Sequence, residues 1–306
     1  MMTTAAMNSH PKVVLMYHSI AGDVPAITGS FPISMARFRH QIETLLQNGW
    51  QCAPLSRLRH EVDAPTFYIT ADDGTIDWTR NALPWCEQRK LPTHTAVVTG
   101  PWEPTPRYPL AHIIQVILAL RSGKSLEKLA TRISGMLTPQ QQSHVEMAYS
   151  YEPDPIRRTI KGGCNLILTE HQAKQLLYPL SSAEQEALAH RFEKPNYYKS
   201  FHFAETGAHT VTHRALDQHT ERYVRDEIEP CLTTMRQFGL VPSDYFTNPM
   251  KTKPGGFLEN LAPLLRKIGF SGVLTCCGNW DQDSFVIPRI DAKQIEHHFG
   301  MEHNVG

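Results

Sequence analysis

Two stretches of the chain combine side-chain types and spacing that could do chemistry. The first, FYITADDGTIDW at residues 67–78, runs an apolar stretch straight into adjacent carboxylates, Asp72 and Asp73, and then Gly74. Two neighbouring negative charges repel, and burying either without a partner is costly. The second, AETGAHTVTH at residues 204–213, sets His209 and His213 four apart, so that a single helical turn would place both imidazoles on one face. Taken alone, such a pair reads first as a polar patch on a surface helix. Two imidazoles with one carboxylate, however, make a divalent-metal triad, suited to zinc, iron, cobalt or nickel. The Asp-Asp stretch supplies that carboxylate and one to spare. A dication would also relieve the repulsion: one aspartate would ligate it, and the other would stay ionised beside it as a base.

These groups need elements to position them. KVVLMYH (12–18) is rich in strand formers and ends at His18, and TFYIT (66–70) is the continuous apolar run expected of a strand buried on both faces. THTAVVTG (93–100), DYFTNP (244–249) and FSGVLTCC (270–277) also read as strands. Between them lie helical patterns. SMARFRHQIETLLQNGW (34–50) opens on Ser34 as N-cap, carries Phe38, Ile42, Leu45 and Leu46 at helical spacing, and stops at Asn48-Gly49. DWTRNALPWCEQRK is helical around a proline, and 222–239 and 256–269 are helical as well. Strand-then-helix alternation argues for α/β architecture with a parallel sheet or barrel, with the chemistry in loops after strands. Residues 103–199 break the rhythm with mostly helical patterns such as AHIIQVILALRSGKSLEKLATRISGML (111–137), and are expected to form a helical insertion, a lid or subdomain.

The bulk properties narrow the class. The 306 residues can bury a substantial core, with 41% hydrophobic and 20% charged residues, as in ordinary globular proteins. Lys plus Arg equals Asp plus Glu at 30 each, which leaves no net field to draw the chain onto nucleic acid or an anionic membrane. The longest apolar run outside the strands, HIIQVILAL, falls far short of the ~20 residues that span a bilayer. The first residues lack a basic head and an apolar signal core, and the six cysteines lack framework spacing, so the expected compartment is the cytoplasm. The vicinal Cys276-Cys277 is expected to be a buried pair of small hydrophobes.

At this point the motifs resemble a family. TADDG (70–74) resembles the T-F-D-D-G motif, and HTVTH (209–213) the H-[ST]-x-x-H motif, of the polysaccharide deacetylases, the NodB-type carbohydrate esterases. The MYHSI opening strand and FRHQIETLLQNGWQCAPLSRL behind it add to the match, which covers residues 11–102 and 200–292 and leaves 293–306 as a C-terminal tail. The resemblance implies an α/β fold of the distorted (β/α)7, TIM-like barrel type, with a metal at the mouth. It implies Asp72 as general base and Asp73, His209 and His213 as ligands of a divalent metal, zinc first. The implied reaction is hydrolysis of an N-acyl group on an amino sugar, with the metal polarising the acyl carbonyl and Asp72 taking a proton from water. Gly74 would permit the tight turn after the carboxylates.

The match departs in places. Ala71 replaces the family's aromatic. YFTNPMK (245–251) keeps Pro249 but has Thr247 and Asn248 where a base-steadying Arg is expected, leaving the N–H of Met250 for an oxyanion and Lys251 or Lys253 for positive charge. The family's L-x-H ending is absent from SFVIPRIDAKQIEHH; there Arg289 would orient active-site groups, and His18, best placed, His297 or His298, or a metal-bound water would protonate the amine. Trp280 and Asp281 are candidates for lining a sugar pocket. The expected substrate is a small or activated N-acylated glycan precursor, with no nucleic-acid partner, and with oligomerisation through the insertion left open. The rival readings are a non-catalytic sugar- or partner-binding relative and an amidase acting on a non-sugar amide.

Overall fold

The computed structural model describes residues 10–26, 31–250, 256–276 and 284–301. The principal strands fall into register as two parallel groups. β1 (Lys12–Tyr17), β2 (Thr66–Ala71), β3 (Thr93–Val97) and β4 (Ala204–Ala208) form one parallel sheet. β5 (Tyr245–Thr247), β6 (Gly272–Thr275) and β7 (Val286–Pro288) form a second. β8 (Ile290–Asp291) follows β7 after Arg289 alone and pairs with β1, returning the chain to the first sheet.

Alternate residues on these strands serve two different cores, which explains the unbroken apolar runs. Leu15, Tyr17, Phe67 and Ile69 face outward and pack with Phe38, Ile42 and Leu45 of α1 (Met35–Gln47). Val14 and Tyr68 face inward and pack with Tyr245, Leu274 and Ile287 of the second sheet. The two sheets therefore enclose a common apolar interior. The α/β architecture with a parallel sheet is as expected. The continuous seven-strand ladder is not seen among the described residues: at the β4–β5 seam a single bridge, Thr206 to Pro242, joins the sheets.

Local signals hold where they are strong. The Ser34 hydroxyl accepts the Arg37 N–H at 3.1 Å, capping α1, and the chain leaves the helix at Gly49 with φ +81°. The stretch around Pro84 is a π-helical segment, Trp78–Ala82, that runs directly into α2 (Leu83–Gln88), with the proline just past the junction of the two.

Residues 110–198 are helical and own a separate core. α3 (Leu110–Leu120), α4 (Gly123–Ser134), α5 (Pro139–Ala148), α6 (Pro155–Gly162), α7 (Glu170–Leu177) and α8 (Ser182–Ala189) bury Ile113, Ile117, Leu129, Ile133, Ile160 and Leu177 against one another. Reciprocal capping boxes, Thr138 with Gln141, Thr169 with Gln172 and Ser181 with Glu184, start α5, α7 and α8. Residues 295–299, read from sequence as part of a tail, form a short helix whose Ile295 is fully buried and whose Glu296 pairs with Arg37. Cys276, expected to be buried, is exposed, and Cys277 lies outside the described residues. No helix among the described residues is long and apolar enough to cross a membrane.

Candidate active site

Strand register assembles the site. Tyr17 pairs with Ala71, and Val97 with Ala208, so His18, Asp72 and His209 emerge together just beyond the carboxyl ends of neighbouring parallel strands. Asp73 and Gly74 then both adopt left-handed backbone, φ +72° and +67°, turning the second carboxylate toward β4. A side chain at position 74 would meet the Tyr198 hydroxyl at 2.7 Å, so the turn needs glycine for space as well as for φ.

The HTVTH stretch is not a helical turn, which corrects the expectation from spacing. It is a loop in which Thr210 (φ +69°) and His213 (φ +56°) are left-handed. A buried carboxylate holds that shape. Glu227 accepts the N–H groups of Val211 (3.1 Å) and Thr212 (2.8 Å) and the Thr212 hydroxyl (2.7 Å), while the Thr210 hydroxyl accepts the His213 N–H (2.9 Å). Both imidazoles still converge: His209 Nε2 lies 3.4 Å, and His213 Nε2 3.2 Å, from the same oxygen, Asp73 Oδ1.

That convergence fits a cation. His209 Nδ1 donates to the Thr247 carbonyl at 2.9 Å, so a neutral imidazole turns a bare Nε2 lone pair on Asp73 Oδ1, and both atoms are buried without a hydrogen-bond partner. Only a proton or a metal ion can sit between two acceptors. Ligands ~2.0–2.1 Å from a tetrahedral ion stand roughly 3.3 Å apart, which matches both separations. The carboxylate and the two imidazoles are the one group of mutually close metal-binding side chains among the described residues. Burial opposes the charged form of Asp73, yet His112, His213 and His209 hold its carboxyl well below the ordinary range. Burial likewise opposes charge on His209, but the contacts with Asp73, Asp72 and Thr247 raise its pKa.

Asp72 is compensated differently. Arg289 grips it with two parallel hydrogen bonds, Nη1 to Oδ1 at 2.6 Å and Nη2 to Oδ2 at 2.7 Å, and also donates to Thr70 Oγ1 and the Thr275 carbonyl. Burial pushes the Asp72 carboxyl up, but Arg289, helped by His209 and His18, outweighs it and brings the pKa down to about 2. His18 Nε2 is 3.8 Å from Asp72 Oδ2, and its ring rests near Phe31 at the partly open side of the site. A carboxylate fixed in its ionised form beside a cation-ready triad can accept a proton from water activated at that triad.

Comparison with known proteins bears on the fold. No protein-family model and no curated protein matches the sequence. Among solved structures, IcaB from Ammonifex degensii superposes with a TM-score of 0.53 at 15% identity over 95% of this chain and 97% of that one. The BpsB deacetylase domain from Bordetella bronchiseptica superposes at 0.50 and 12% identity over 92% of this chain and 95% of that one. The chain shares the fold of IcaB and of the BpsB deacetylase domain.

Against the deacetylase fold, the remaining sequence candidates separate. Pro249 is buried at the end of β5, and Met250 follows with φ +60°, its carbonyl accepting from Asn248 Nδ2 at 3.1 Å. His297 and His298 are exposed on the short helix that packs on α1 through Glu296, which sets them apart from the triad. Trp280, Asp281, Lys251 and Lys253 lie outside the described residues.

Two residues of the site escaped the sequence reading. His112, in the first turn of α3, places Nε2 3.3 Å from Asp73 Oδ2, and Arg191 donates from Nε to His112 Nδ1 at 2.6 Å. Both are buried. The signal was an ionisable ring heading HIIQVILAL, an otherwise apolar run, where a histidine needs a partner.

Proposed function

We propose that the chain is a metal-dependent hydrolase that removes an N-acyl group, acetyl or formyl, from an amino sugar. The observation that carries this reading is the division of labour at the end of β2, where Arg289 fixes Asp72 as an anion while Asp73 shares one oxygen with two imidazoles at tetrahedral spacing. Asp73, His209 and His213 would hold the divalent metal, for which zinc suits the one-carboxylate, two-imidazole donor set. When bound, the metal supplies a Lewis acid that polarises the acyl carbonyl and acidifies water.

The chain's own residues do the rest. Asp72 takes a proton from water as oxygen adds to the acyl carbon, Arg289 keeps that base oriented, and the N–H of Met250, after β5, is the backbone donor assigned to the developing oxyanion. The C–N bond then breaks, the acid leaves as acetate or formate, and His18 delivers the proton that the amine requires. In this reading residues 11–102 and 200–292 form the catalytic unit, the two sheets being a distorted seven-position barrel with β7 and β8 as one broken position, and 103–199 is an insertion that covers one side. Near-complete burial of Asp72, Asp73 and His209 favours a small or activated glycan precursor over the middle of a polymer.

The test is a panel of N-acetyl and N-formyl amino sugars, free and nucleotide-linked, with a cyclic imide beside them, given to zinc-loaded protein and read by acid release. Release from a sugar that disappears in Asp72→Asn supports the proposal. Turnover of the imide alone makes the chain an amidase, and full metal occupancy with no turnover of any substrate makes it a binding relative.

A further inference from the structure

We propose that His112, held by Arg191, is a positioning residue that locks the Asp73 carboxylate for metal binding, so that the helical segment completes the metal site. The inference rests on the metal reading above. The two oxygens of Asp73 face opposite ways: Oδ1 toward His209 and His213, and Oδ2 toward His112 Nε2 at 3.3 Å. A guanidinium can only donate, so the 2.6 Å contact from Arg191 Nε makes His112 Nδ1 the acceptor. The proton of the neutral ring then sits on Nε2, the ring atom 3.3 Å from Oδ2. This tautomer cannot ligate a metal through Nε2, which separates His112 from the triad and gives it a different task. A carboxylate with one oxygen held by an N–H has its other oxygen aimed.

The supporting parts are built for this. Arg191 also binds Gln115 one turn along α3, so the helix and residue 191 are clamped together. Phe192 packs edge-on against the His112 ring at 4.8 Å. The segment carrying Arg191 is stitched to the turn after Asp73: Ile76 N–H donates to the Arg191 carbonyl at 3.0 Å, and Glu193 N–H to the Gly74 carbonyl at 3.1 Å. The α3 end and the return from α8 thus approach Asp73 as one unit.

Zinc titration against a competing chelator, with the cobalt(II) absorption spectrum as a second readout, tests the proposal on the full chain. His112→Ala is expected to weaken zinc binding by about 10- to 100-fold and to alter the cobalt bands. His112→Gln, which returns an N–H near the position of Nε2, is expected to recover most of the affinity, and Arg191→Gln to lose an intermediate amount. If His112→Ala does not fold, His112→Phe takes its place beside His112→Gln and Arg191→Gln in the same titration. Wild-type affinity and unaltered cobalt bands in the alanine or phenylalanine variant, even with a lowered melting temperature, overturn the positioning role and leave the metal reading intact. Absence of metal binding by the unaltered protein overturns both.

Discussion

The two aspartates at the end of β2 are sequence neighbours and almost equally buried, at 3% and 4% exposure, yet their surroundings differ in kind. Asp72 is paired with a permanent cation, Arg289, in the bidentate geometry that matches a carboxylate. Asp73 is ringed by three imidazoles, His112, His209 and His213, which carry charge only when protonated. One carboxylate is gripped directly by a guanidinium, and the other meets imidazoles, with the permanent cation Arg191 held behind one of them, His112. A doubled acidic motif is therefore resolved by asymmetry, and in the proposed function the member paired with Arg289 is the base and the member among the imidazoles the metal ligand.

The sharpest way to break this contrast is to neutralise each member in turn. Asp72→Asn is expected to lower turnover by about 10³-fold or more, in line with removal of a general base, while metal content by elemental analysis stays at wild type. A parallel loss of metal would erase the distinction between the two carboxylates. His209→Ala, on the Asp73 side, is expected to weaken zinc affinity by at least about 100-fold, since it removes a ligand and orphans the Thr247 carbonyl. Unchanged affinity in a chelator competition would remove His209 from the metal site.

Smaller effects sharpen the comparison. Arg289→Met leaves a buried carboxylate without its guanidinium and is expected to cost about 3–5 kcal/mol in urea unfolding. The pH dependence follows from the sign of the Asp72 shift. Its folded pKa lies at about 2, below the unpaired value of 3.8, so its contribution to stability is complete above about pH 4 and is lost as pH falls toward 2. In Arg289→Met burial is left as the largest influence and lifts the folded pKa above the unpaired value, so the Asp72 contribution is expected to reverse sign and acidification through about pH 4 to relieve the variant, a change readable from unfolding midpoints at a series of pH values. Glu227→Gln, which weakens the clamp on the 209–213 loop, is expected to cost about 1–2 kcal/mol and a few-fold in zinc affinity. An equal loss of zinc affinity in Glu227→Gln and His209→Ala would mean that loop shape, more than ligand identity, governs the site.

The sequence made some of this legible. Strands buried on both faces advertise themselves as unbroken apolar runs, so β1, β2 and β3 and the carboxylates beyond β2 could be read directly. The histidine pair was legible as a pair but not in its geometry, because the loop is shaped by Glu227, a carboxylate 14 residues beyond His213 whose hydrogen bonds local spacing does not encode. The cation missing near Thr247 and Asn248 is supplied by Arg289 from the junction of β7 and β8; the sequence offered Arg289 as an orienting residue, and the topology shows that Asp72 is what it holds. His112 and Arg191 stayed hidden because an apolar helix pattern says where a helix is buried, not what its one polar ring will meet.

Arg289 reaches from the carbonyl of Thr275 in one sheet to Thr70 and Asp72 in the other, at the break between β7 and β8. The same ion pair that keeps Asp72 charged is thus a clasp across the molecule. Silencing Asp72 to trap a bound sugar would unfasten that clasp along with the chemistry, and the captured complex would report a slackened mouth. A substitution at His18, which stands on the rim 3.8 Å from Asp72 and does not tie one sheet to the other, is the better choice for seeing substrate in an undisturbed frame.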